Sequence, residues 1–185
     1  MAARQGALSA NPVRGTASIR RPKSERRSLS VDDLATVRAA VRDWMCKERP
    51  GPKANTDTAD IIDLMLGTGA RIGEDLALRW SDVNVDDPQP TVRLSGTIKT
   101  ETGKGTYRKP TPGVQTIHLP EFAVDLLRRR RTETPRTSID AVFPTRNGTW
   151  QQVNNVERRW RQIRQDAGLE WVTPEAFRRV DGEAL

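Results

Sequence analysis

The stretch LGTGARIGEDLALRWSDV, residues Leu66 to Val83, decides how the chain is read. Gly67-Thr68-Gly69 predicts a sharp turn that breaks one helix, because glycine enters backbone conformations closed to other residues. Arg71 to Trp80 predicts the next helix, with Ile72 and Leu76 one turn apart. An arginine at a helix start, beside small residues, can reach a phosphate, and its planar fork matches phosphate oxygens through two parallel hydrogen bonds. Glu74, three residues on, shares its helix face and can orient the guanidinium. The same spacing also describes an ordinary surface ion pair, and these residues alone leave both readings open.

Upstream, Ser30 is an expected N-cap, with Asp33 placing negative charge in the first turn. Leu34, Val37 and Val41 follow at helical spacing, extended by Trp44 and Met45, and Pro50-Gly51-Pro52 stops the helix. A second helix is predicted around Asp57 to Leu66. Downstream, Thr91–Ile98 and Val114–Leu119 read as strands, the second with strict alternation, separated by a polar segment with Gly103 and Gly105. That predicts a β-hairpin or a small three-stranded sheet. Pro120 suits the first position of a helix whose apolar face holds Phe122, Ala123, Leu126 and Leu127. Val153, Val156, Trp160, Ile163 and Ala167 mark a strongly amphipathic helix, capped by Asn154 or Asn155 and ended by Gly168. A last helix begins at Thr173-Pro174. The expected fold is mainly α with a small antiparallel β-meander or hairpin.

The 185 residues are enough for one domain with a hydrophobic core. No apolar run approaches the length that spans a bilayer, and the N-terminus lacks the apolar core of a signal peptide. One cysteine, Cys46, excludes an intramolecular disulfide and suits a cytoplasmic location, and one histidine beside it argues against zinc. The net charge is +7, but residues 1–29 carry seven basic side chains against one acidic one. The high pI is therefore mostly a property of that Gly-, Ser- and Pro-containing segment, which reads as a disordered tail or a basic arm for a polyanion. The domain proper is expected over 30–185.

LGTGARIGEDLALRWSDV resembles the first arginine motif of the tyrosine recombinase (phage integrase) family. SGTIKTETGKGTYRKPTPGVQTIHLPEFAVDLL is similar to that family's β-hairpin and following helix. AVFPTRNGTW, NNVERRWRQIRQDAGL and WVTPEAFRR resemble the approach to its second arginine motif. The motifs run in the family's order from Ser30 to Val180. The resemblance implies a catalytic domain for site-specific DNA integration and recombination, as in prophage insertion or excision. It implies Arg71 as the first catalytic arginine on the scissile phosphate, supported by Glu74. It implies Lys109 as the hairpin lysine that protonates the leaving 5′-hydroxyl, with Lys104 as a rival, and Arg178 as the second arginine. Two arginines around one phosphate neutralise it and stabilise the extra charge of the transition state, so no metal or cofactor is implied. The implied partners are double-stranded DNA resembling an attachment site and further recombinase protomers, with no membrane.

Three departures qualify this. Glu175 occupies the position where the family has a histidine; a carboxylate accepts but cannot donate to phosphate, and it can pair instead with Arg178 or Arg179, in competition with DNA. The nucleophilic tyrosine lies downstream of the second arginine in the family, whereas the single tyrosine here, Tyr107, falls in the hairpin, and the final VDGEAL matches nothing in the pattern. The N-terminal DNA-binding domain of the family has no counterpart beyond Asn11-Pro12-Val13-Arg14-Gly15. The expectation is a C-terminally truncated, catalytically inactive fragment, or a non-enzymatic DNA-binding remnant that occupies attachment sites without cleavage. Candidate DNA contacts are Lys104, Arg108, Arg158, Arg159, Arg161 and Arg179. The run Arg128–Arg131 points in directions about 100° apart and reads as a solvated helix end.

Overall fold

A computed structural model describes residues 27–47 and 56–179. The expectations for the basic tail up to residue 26, for Pro50-Gly51-Pro52 and for VDGEAL lie outside the described residues.

Helix α1, Val31–Cys46, starts on a reciprocal cap: Ser30 Oγ accepts from the Asp33 main-chain N–H, and the Asp33 carboxylate accepts from the Ser30 N–H. It buries Leu34, Val37 and Val41, the predicted stripe. Helix α2, Asp57–Thr68, runs two residues further than expected. Gly67 does not break it. A Cβ there would sit 2.8 Å from Ala123 Cβ, so the glycine lets helix α4, Glu121–Glu133, come close. The breaker is Gly69, left-handed at φ 62°, whose N–H caps Met65 O.

The helix predicted for Arg71–Trp80 shrinks to a single turn, α3, Ile72–Asp75. Tertiary partners outbid the helical ladder: Leu78 O accepts from the Val142 N–H, and the Trp80 N–H donates to Asp140 O. A 3₁₀ turn at Trp80–Asp82 leads into β1, Val83–Asn84.

The sheet has three antiparallel strands in the order β1-β2-β3, with β2 at Thr91–Glu101 and β3 at Gly105–His118. The hairpin is longer than predicted because the polar segment between the apolar runs is itself paired, from Thr97↔Lys109 to Glu101↔Gly105. The register slips between Leu94↔Gln115 and Gly96↔Pro110, leaving Thr111–Val114 bulged against Ser95.

Pro120 is the N-cap of α4 rather than its first helical residue. The arginine run at its end is not solvated as a block. Arg130 is buried between α2 and the 141–143 segment, bonding Asp57 at 3.0 Å, Asp60 at 2.6 Å and Val142 O, with its guanidinium over the Phe143 ring. Arg129 also reaches Asp60, and Arg131 reaches Asp86. Helix α5, Val153–Asp166, has Gln152 as N-cap, so Asn154 and Asn155 lie inside its first turn. Trp160 on its buried face donates to Val172 O at 2.7 Å and meets Phe177 edge-on at 5.1 Å. A 3₁₀ helix, Pro174–Arg178, follows. Among the described residues no helix is long and apolar enough to cross a membrane, and no group of three or more His, Cys, Asp or Glu could hold a metal.

Candidate active site

The Gly69 turn gathers the site. Buried Ala176 and Phe177 hold the last 3₁₀ helix against the core, which aims Arg178 back at that turn. Its Nε donates to Gly69 O at 2.8 Å. Two residues on, Arg71 is the N-cap of α3 and its side chain stays 68% exposed. Glu74 acts on it twice, accepting the Arg71 main-chain N–H at 2.8 Å and its Nη1 at 3.4 Å. One carboxylate thus caps the helix and bonds the guanidinium; the spacing predicted the side-chain contact but not the cap.

Beneath them lies Asp75, fully buried and bonded to Thr68 Oγ1. Burial pushes its carboxyl well above the usual carboxylate range; Thr68 opposes the shift, Glu74 adds to it and Arg178 opposes it. Asp75 lies within LGTGARIGEDLALRWSDV, but the motif gave it no role, and only the closed fold shows it buried.

The hairpin is seated on α3 through Gly73, where a Cβ would fall 2.9 Å from Thr97 Oγ1. Thr97 pairs directly with Lys109, and opposed residues in an antiparallel pair share a face. Lys109 is therefore on the same side of the hairpin as Thr97, and it is exposed. Lys99 pairs with Tyr107 two positions along the same face. Lys99 went unnoticed as a candidate because its place depends on the hairpin register. Lys104 lies at the tip, its ammonium 3.9 Å from the centre of the Tyr107 ring. Tyr107 donates to Glu101, a bond that raises its pKa, with burial adding to the effect.

Arg108 alternates to the opposite face and differs from what was expected of a DNA contact. It folds over Gly96, donates to Ala77 O at 2.9 Å and to Ser95 Oγ, and approaches Asp82, leaving its side chain 8% exposed. Glu175 pairs with Arg178 at 2.9 Å and lies 3.8 Å from Arg179. Arg158 is held by Asn155 on its own helix, Arg159 is half-buried and Arg161 projects to solvent. His118 is exposed at the end of β3, paired with Thr91. The arrangement brings two arginines and a supporting carboxylate to one turn and seats a lysine-bearing hairpin against it, a cationic surface suited to a phosphodiester.

The fold is that of a tyrosine recombinase catalytic domain. The model of the phage integrase family matches residues 44–185, and the chain belongs to that family. Among solved structures it is similar to the Tn1549 transposon integrase in complex with a circular intermediate DNA, with a TM-score of 0.67 and 17% identity over 96% of this chain and 59% of that one. It is similar to the XerH site-specific recombinase bound to a palindromic difH substrate, at 0.60 and 18% over 84% of this chain and 40% of that one. The lambda integrase dimer bound to a core site gives 0.56 and 18%, over 96% and 58%. The chain thus spans less than two thirds of these structures. A comparison with curated protein sequences returned no match.

Proposed function

We propose that residues 30–185 act as a recombinase catalytic domain that binds double-stranded DNA at an attachment-like site, in prophage-type integration or excision. In this reading Arg71 and Arg178 hold one phosphodiester, Glu74 positions Arg71, and Lys109 or Lys104 serves the leaving 5′-hydroxyl. Residues 1–29 are a basic arm, the setting is the cytoplasm, and other protomers are partners. The observation that carries the proposal is the bond from Arg178 Nε to Gly69 O, which sets the second arginine against the turn that presents the first. Charge neutralisation at that phosphate, and of the charge added in the transition state, is the chemistry such a pair performs.

A second reading, DNA occupation without cleavage, is favoured by Tyr107. Its hydroxyl donates to Glu101 and is made harder to ionise, the reverse of an activated nucleophile. These 185 residues then bind but do not form a phosphotyrosyl bond through Tyr107. A salt-dependent gel shift on attachment-site duplexes and a suicide-substrate assay test both readings. Binding that falls steeply with salt and needs Arg71 and Arg178 supports the DNA site; binding no stronger than that of a charge-matched control protein refutes it. Any covalent adduct refutes occupation without cleavage, and one that survives Tyr107→Phe excludes Tyr107 as the nucleophile.

A further inference from the structure

We infer that Glu175 is a built-in anion that occupies the phosphate-binding edge of Arg178 and must swing away before DNA can bind there. The inference rests on the DNA-phosphate reading of the Arg71 and Arg178 site.

A guanidinium holds a phosphate best through two parallel N–H bonds from one edge. Arg178 has two such edges, one containing Nε and one containing Nη1. The Nε edge is committed to Gly69 O at 2.8 Å. That acceptor is backbone, locked by the left-handed cap and the bond from Gly69 N–H to Met65 O, so it does not yield. On the other edge Nη1 donates to Glu175 Oε1 at 2.9 Å, which prevents a two-bond grip on a phosphate there while Glu175 stays. Glu175 and Arg178 are three residues apart in a 3₁₀ helix, where such positions eclipse, so the carboxylate lies over the guanidinium by construction. The same oxygen is 3.8 Å from Arg179, which brackets it between two cations as a phosphate oxygen would be. Glu175 remains 54% exposed, so of the two partners of Arg178 it is the one that can leave. Until it does, it blocks the second edge and repels an incoming anion.

The test measures the affinity of the full chain for a short fluorescent DNA duplex of arbitrary sequence at fixed salt. It compares Glu175→Gln with Glu133→Gln, which makes the same charge change on α4, where Glu133 pairs with Arg129. Glu175→Gln is expected to bind roughly fivefold more tightly than Glu133→Gln, the factor for removing one like charge at about 4 Å in water. That gain should vanish when Arg178→Ala is added, or Arg178→Gln if the alanine variant does not melt cooperatively. Equal affinity of the two glutamine variants overturns the inference, as does a gain that persists without Arg178. If Arg178→Ala weakens binding while the two glutamine variants agree, only the role of Glu175 fails. If Arg178→Ala weakens binding in neither the native nor the Glu175→Gln background, the phosphate site fails with it.

Discussion

Arg178 Nε and the main-chain oxygen of Gly69 are joined at 2.8 Å across 109 residues of sequence. The bond places the end of the described chain on the turn between α2 and α3, and it needs Gly69 in its left-handed conformation, φ 62°. A side chain is strained there, so Gly69→Ala should lower the unfolding free energy by about 1–2 kcal/mol. It should also weaken DNA binding, because the acceptor that holds Arg178 shifts. Urea unfolding with an unchanged m-value checks the first effect, and a titration with duplex DNA checks the second.

Arg130 and Arg131 are neighbours with opposite fates. Arg130→Ala removes the buried cation shared by Asp57 and Asp60, leaving Asp60 to Arg129 and Asp57 to Gln151, and should cost about 3 kcal/mol. Arg131→Ala breaks only an exposed pair with Asp86 and should cost less than about 1 kcal/mol. Thermal melts of the two variants decide the matter; similar losses would contradict the buried placement of Arg130.

Asp75 makes stability depend on pH. Its folded pKa lies above its unfolded value near 3.8, so the folded state binds the proton more tightly. The contribution of Asp75 to stability is therefore fully present below the unfolded pKa and is lost as pH rises through the window up to the folded pKa. Thr68, whose hydroxyl lies within bonding range of Leu64 O at 2.9 Å and Asp75 Oδ1 at 3.1 Å, offsets part of that shift. Asp75→Asn should flatten the decline relative to the native chain. Parallel stability-against-pH curves for the two proteins would rule this out.

Arg71 and Arg108 should separate binding from folding. Arg71→Ala removes an exposed cation and should reduce the salt slope of DNA binding by about 1 with little change in melting temperature. Arg108→Ala removes an inward clamp on Ala77 O, Ser95 and Asp82, and should cost about 1.5–3 kcal/mol of stability while leaving the salt slope alone. Salt titrations paired with melts read both out.

Much of the fold was legible because it depends on local periodicity. The Ser30 cap formed as read; of the stripe from Val153 to Ala167, Val156, Trp160 and Ile163 are buried, whereas Ala167 is the exposed C-cap. Arg71 with Glu74 was visible because i and i+3 on one helical turn must meet. The polar half of the hairpin was not, since strand pairing there proceeds without apolar alternation. Arg108 was misplaced for the same reason: which face a hairpin residue takes depends on the register, and a one-residue shift reverses it.

The sequence by itself determined the family, the Ser30 cap, the main amphipathic faces and the identity of the cations, because each is written in short-range spacing and residue chemistry. Only the tertiary structure decided that α3 stops after one turn and that Arg130 and Asp75 are buried. Those outcomes hang on partners that close over them from distant parts of the chain, and burial changes what a charge costs far more than the identity of its neighbours in sequence does.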